Sequence, residues 1–317
     1  MKKIITTMII IILGITNIGC TSKDVKVISG NSLDGIAMCK LAYEENQIQK
    51  GYKTTYTIER KKENLEKSLM NEEFDIALIP TDMAARIYNK NLNYEICASI
   101  GQGSYYLVTS DLSITGFNET LIDKEVDVIK ENSMVDSISK SILKNENINE
   151  SKVNFKYVDN EPELVKDLTL GKISTGIVPE TSLTILLYKH SGLKILTSTD
   201  EAYKKSFNIS GGYSQFSVVV RKDFAKENKT YVDEFLSQLK SSIEFVNDNP
   251  LQAGAYGEAL SIPIKPQVLS KAIKRSNLKF VSVNEFENNY EELFNILYNC
   301  NKDVIGGKIP DKSIYYK

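Results

Sequence analysis

Tryptophan is absent from this 317-residue chain, and histidine occurs once, at His190. One imidazole excludes multi-histidine metal sites, and His190 stands beside Lys189 at an expected helix end, an ordinary place for a surface residue rather than a catalytic one. Cysteine is scarce: Cys20, Cys39, Cys97 and Cys300 show neither CxxC redox spacing nor the paired spacing of a zinc ribbon. The three after Cys20 cannot all pair and lie among apolar neighbours, so they read as buried thiols. Neither sign of charge is in excess, with 39 Lys and Arg against 41 Asp and Glu mixed along the chain. That balance leaves no footprint for coating a polyanion, which excludes nucleic acid as a partner. Nothing in the composition implies a metal or a cofactor. The 42% hydrophobic content supplies a sizeable core, in one or two domains, with 17 Tyr and 11 Phe as the aromatic surface.

Long apolar runs are missing except at the start. Lys2 and Lys3 precede Ile4 to Thr16, a stretch too short to span about 30 Å of hydrocarbon comfortably as a helix, and Asn17-Ile18-Gly19-Cys20 follows. This pattern reads as an export signal over 1–19. It resembles a bacterial lipoprotein signal, in which the Cys becomes lipidated and first in the mature chain, although Asn17 stands where Leu is usual. The resemblance implies lipidation of Cys20, a tether over 20–24, and membrane attachment through acyl chains.

An internal repeat suggests the architecture. Asp24-Val25-Lys26-Val27-Ile28-Ser29-Gly30-Asn31-Ser32 recurs 101 residues later as Glu125-Val126-Asp127-Val128-Ile129-Lys130-Glu131-Asn132-Ser133, and helix-period apolar residues follow each copy. Phe74 to Asp82 likewise matches Ile173 to Thr181, with Pro80 and Pro179 placed 99 residues apart. In both, a continuous apolar strand stops at Pro and a new helix begins. The expectation is two α/β lobes with parallel sheets. Gly101 to Ser110 and Gly211 to Arg221 would carry the chain across and back as a two-segment hinge, giving 25–106 plus 217–317 as lobe 1 and 107–216 as lobe 2. A helix over about 230–249 is expected to stop at Pro250, and further helices around 267–275 and 284–298 are expected to brace lobe 1.

Open α/β sheets bind ligands where strands end and helices begin. Candidate ligand residues are therefore Asn31, Ser32, Leu33 and Asp34 with Pro80, Thr81 and Asp82 on one lobe. Asn132, Ser133, Met134, Pro179 and Glu180 face them from the other, and Tyr105 and Tyr213 wall the hinge. Tyr105 and Tyr106 are neighbours on an expected strand, so only one of them can face the cleft. Ser and Asn before a helix are also ordinary caps.

GNSLDGIAMCKL (Gly30 to Leu41), FDIALIPTDMAARIY (Phe74 to Tyr88), GKISTGIVP (Gly171 to Pro179), VVVRKDF (Val218 to Phe224) and the ending Asp303 to Asp311 together resemble the substrate-binding proteins of ABC transporters of the nitrate, sulfonate and taurine type, which include binders of thiamine-pyrimidine precursors. That resemblance implies a type II periplasmic-binding fold and a non-enzymatic clamp for a small solute, delivered to a membrane permease. Glu131 departs from the small, Gly-rich loop usual in the family and weighs against an anionic ligand. Two alternatives stand beside this reading: an enzyme on the same fold, of the pyrimidine-synthesising or menaquinone-pathway type, and a membrane-tethered ligand sensor.

Overall fold

The computed structural model describes residues 22–45, 47–90, 93–190 and 192–317. The expected export signal and Cys20 lie outside these residues. The chain begins with β1 (Lys23–Gly30), α1 (Leu33–Ala37), α2 (Cys39–Glu44), β2 (Tyr52–Glu59), α3 (Lys62–Met70), β3 (Ile76–Pro80), α4 (Thr81–Asn89) and β4 (Tyr94–Gln102). Ile76 to Ile79 are all buried because helices cover both faces of their sheet. Pro80, which has no N–H to give the ladder, then ends β3 and precedes α4.

The second run is β5 (Tyr105–Thr109), β6 (Glu125–Ile129), α5 (Met134–Asn145), β7 (Asn154–Val158), α6 (Glu161–Thr169), β8 (Thr175–Pro179), α7 (Glu180–Lys189), β9 (Lys194–Ser198) and α8 (Thr199–Phe207). The chain then returns through β10 (Ser214–Arg221), α9 (Lys222–Glu227), α10 (Lys229–Asp248), α11 (Pro250–Ala259), α12 (Pro266–Ala272), β11 (Leu278–Ser282) and α13 (Val283–Asn301). Pro250 ends one helix and, as the first residue of α11, starts the next.

Two sheets result, ordered β11-β4-β10-β3-β1-β2 and β7-β6-β8-β5-β9. They are not purely parallel, as the strand patterning had suggested. β10 runs antiparallel between β3 and β4, and β5 antiparallel between β8 and β9. Each of these strands enters directly from the other lobe, so it comes in at the end where its neighbours finish.

The ladders also refine the repeat. Gly30 pairs with Glu59 and Ile129 with Val158, while Ser29 pairs with Leu78 and Val128 with Ile177. Every one of these equivalences is offset by 99 residues, not 101. The extra two residues sit in the β6–α5 turn, where Lys130 and Asn132 both adopt positive φ (55° and 58°).

Three apolar clusters form the core. One collects Val27, Leu78, Val218, Phe235 and Ile262 around the first sheet, and another collects Val108, Val178 and Leu183 in the second. The third joins Ile79 and Met83 of the first lobe, Val128 and Ile138 of the second, and Tyr290, Phe294 and Leu297 of α13. The C-terminal helices therefore do more than brace lobe 1: the stripe of α13 is apolar enough to be shared, and α5 packs against it as well.

Candidate functional site

The carboxyl ends of β1, β2, β3, β6, β7 and β8 carry the turns that begin α1, α3, α4, α5, α6 and α7, so one edge of each sheet collects helix starts. In the β1–α1 turn the Asp34 carboxylate accepts hydrogen bonds from the amides of Gly30 (2.9 Å) and Ser32 (3.1 Å) and from the Ser32 hydroxyl (2.7 Å). Asp34 is 2% exposed, and burial raises its pKa against these bonds. The second lobe repeats the device: Asp136 accepts from the Asn132 amide (2.9 Å) and from Lys140 (2.9 Å). Ser133 caps α5 by accepting from the Asp136 amide and donates to the Ile129 carbonyl.

The starts of α4 and α7 are also occupied. Asp82, 3% exposed, pairs with Arg86 (2.8 Å) and Lys62 (3.6 Å). Burial works to raise its pKa, but Lys62, Arg86 and the Met83 amide together hold it at about 2. The Glu180 amide donates to the Ser104 carbonyl (2.9 Å), and its fully buried carboxylate meets Arg275 and Thr184. Burial outweighs Arg275 there and pushes Glu180 up to about 7.

Tyr105 is the first residue of β5, where the chain enters the second sheet. It lies opposite Pro179 in the β5–β8 ladder, the position that Phe216 takes opposite Pro80 in the first sheet. Burial raises the pKa of the Tyr105 phenol, and the nearby charges of Glu161 and Asp82 raise it further. One of these carboxylates belongs to each lobe, Asp82 on α4 and Glu161 on α6. Tyr106 faces the other way and donates to the Arg275 carbonyl (2.8 Å). Glu161, the first residue of α6, accepts from the Ser182 hydroxyl, has no ion pair among the described residues, and is raised by burial. Lys130 meets Glu63 across the lobes at 3.7 Å, and Asn301 donates to Asn132 at 2.7 Å.

Of the sequence-derived candidates, Tyr105 and Pro179 are ladder partners, while Pro80 ends β3 and Asp82 lies in the first turn of α4. Asn31, Ser32, Asn132 and Ser133 lie at the turns, and both serine hydroxyls already have internal partners. Leu33 and Met134 are buried apolar residues, and Thr81 is sealed against Ser214 and Ser217. Tyr213 is fully buried in the hinge, bonded to Thr199 (2.7 Å) and packed edge-on against Tyr203. Cys39 and Cys97 are buried free thiols. Glu161 was missed. Its signal was available, because the 99-residue offset carries the start of α3 at Lys62 onto Glu161.

Among the described residues no group of three or more His, Cys, Asp or Glu could hold a metal ion, and no helix is long and apolar enough to cross a membrane. A groove of about 700 Å³ lies outside the cleft, bordered by Asn145, Ile148, Phe207 and Cys300.

Comparison with protein-family models and with curated proteins gives no match. Solved structures do match. An ABC transporter protein from Parabacteroides distasonis is 21% identical with a TM-score of 0.78, covering 94% of this chain and 99% of that one. The periplasmic aliphatic sulphonate binding protein SsuA from Escherichia coli is 9% identical with a TM-score of 0.76, covering 93% and 92%. A Candida albicans protein described as having the generic periplasmic binding protein fold is 14% identical with a TM-score of 0.58, covering 92% of each chain. This chain therefore has the periplasmic-binding-protein fold, two α/β lobes joined by a two-segment hinge.

Proposed function

We propose that this chain is the extracytoplasmic solute-binding component of an ABC importer, capturing a small solute between its lobes and presenting it to a membrane permease. The observation that carries this reading is the repeat itself: two sheets with equivalent ladders each carry helix starts at one edge, and the chain passes between them twice, into β5 and into β10. Such a cleft binds by closure and needs no reacting group. In this reading the first sheet moves against the second about the segments near Gly103 and Gly212, with boundaries shifted from 106 and 217 because Tyr105 and Tyr106 belong to β5 of the second sheet and Ser214 to Phe216 to β10 of the first, and the protein performs no chemistry. Structural neighbours of this fold include proteins of ABC import systems and sulphonate binders, which supports the transport assignment. Lipidation of Cys20 would hold the clamp near its permease and raise its local concentration.

The test uses the chain from Ser22 onward. Thermal shift against sulfonates, nitrate, amines and pyrimidines should find a solute that raises Tm, since a ligand of the folded form stabilises it. That solute should reduce the radius of gyration in X-ray scattering, and Tyr105→Ala should weaken it about tenfold or more, the loss of one aromatic wall. A solute that binds with no compaction and no response to Tyr105→Ala refutes the cleft. In the full chain, Cys20→Ser should release the protein from membranes; retention would refute the lipid anchor.

A further inference from the structure

We infer that the groove between α5, α8 and α13 is a second binding site, for a neutral polyhydroxyl compound such as a sugar or a cyclic polyol. It lies outside the cleft and shares no residue with the ligand candidates there, so it does not depend on the transport reading.

Three helices end around this groove. Ser141 and Asn145 line it from the last turns of α5, Phe207 is the last residue of α8, and Ile296, Asn299 and Cys300 present one face of α13. The segment that follows α5 completes the wall with Asn147, Ile148 and Asn149. The volume of about 700 Å³ lies within the range of small-molecule sites, about 300–1,000 Å³. Ile148 and Ile296 are buried and Phe207 packs against the core shared by the lobes, so the bottom of the groove is apolar. Its upper wall is amide.

The amides decide the chemistry. Asn145 spends its Nδ2 on Ser206 and keeps Oδ1, whereas Asn149 spends Oδ1 on Ser151 and keeps Nδ2. Asn147 and Asn299 make no side-chain hydrogen bond among the described residues. Asn147 does have a backbone duty, the left-handed position that ends α5 (φ 60°), but this leaves its amide uncommitted. The groove therefore offers the NH2 groups of Asn147, Asn149 and Asn299 beside the carbonyl oxygens of Asn145, Asn147 and Asn299. A hydroxyl both donates and accepts, so a compound carrying several of them answers such a mixed set. Lys144 and Glu150, also in the lining, are opposite in sign and neither has an ion pair among the described residues, so an ion would find no opposite charge in excess. The C–H face of a sugar ring would rest on Phe207 and the two isoleucines. A compound seated there touches both α5 and α13, the helices packed against each other at the seam between the lobes.

The chain from Ser22 onward carries its own reporter. Cys39 and Cys97 are buried, while Cys300 is partly exposed in the groove, so its reaction with Ellman's reagent reads occupancy directly. Glucose, sucrose and myo-inositol are the probes, with glucosamine and glucuronate as charged counterparts. At least one of the three neutral compounds should slow the Cys300 reaction and raise Tm. Asn147→Gly, which keeps the positive φ, and Asn299→Ala, at an exposed position, should each weaken that compound about fivefold or more with the circular dichroism spectrum unchanged. Silence of all three neutral probes, protection of Cys300 that survives both substitutions, or binding of glucosamine or glucuronate as tight as that of the neutral compounds overturns the proposal.

Discussion

Asp127 shows how one residue can set a pH dependence for the whole fold. It sits in the middle of β6, 5% exposed, and its Oδ2 has no hydrogen-bond partner. Burial first, then the charges of Glu125 and Asp167, push its pKa from 3.8 to about 6, and Lys156 offsets this only in part. A carboxyl whose pKa is higher folded than unfolded penalises the folded state once it ionises. The penalty is absent below about pH 4, grows between pH 4 and 6, and is complete above that window. Asp127→Asn should therefore stabilise the protein by about 1–3 kcal/mol at pH 7.5 and hardly at all at pH 4. Urea melts at the two pH values measure this directly, and an equal gain at both would show that the ionised carboxylate is not the cause.

At the scale of elements, the strands ending in Pro80 and Pro179 and the glycine-rich passage at 101–104 were legible because each is a local rule: an apolar run, a residue without an N–H, a turn. The antiparallel entry of β5 and β10 was not, since it depends on which lobe a strand arrives from, and apolar patterning does not record direction. Nor did the sequence show that Tyr213 is hinge core rather than cleft wall, because an aromatic after two glycines reads the same in either place. Glu161 escaped for a similar reason: Asn160-Glu161-Pro162-Glu163 is an ordinary capped helix start, and only the ladder offset aligns it with Lys62. The packing of Tyr213 has a testable consequence. A Cβ at Gly103 would run into the Tyr213 ring, which Thr199 and Tyr203 hold in place. Gly103→Ala should cost about 1–3 kcal/mol through overpacking, and adding Tyr213→Leu should return part of the loss relative to Tyr213→Leu alone. Denaturant melts of the four proteins form the cycle. Strictly additive losses would mean that the two residues do not meet.

For the whole molecule, the question is what holds two lobes in one arrangement while leaving them able to separate. The shared core along α13 joins them on one side, and its apolar side chains have no reason to part in water. Besides this core the joins are polar: Lys130 with Glu63, and Arg275, in the 3-10 turn before β11, with Glu180 on α7. The Lys130 pair is exposed and contributes little. The Arg275 pair is different, because Glu180 is fully buried and titrates near pH 7 even with the guanidinium beside it. Removing Arg275 strands the carboxyl, which must either take up a proton or stay charged without a partner. At pH 5 it is protonated in either protein, so Arg275→Ala should lose little there beyond the side chain's packing. At pH 8 the parent keeps an ion pair that the variant lacks, and the loss should be larger by about 1–3 kcal/mol. Glu180→Gln in the Arg275→Ala background removes the group that needs the partner and should flatten this pH dependence. Urea melts at pH 5 and pH 8 decide the matter, and scattering from the same samples reports whether the lobes move apart. A loss equal at both pH values would place the role of Arg275 in its packing and its Thr184 bond, not in its charge.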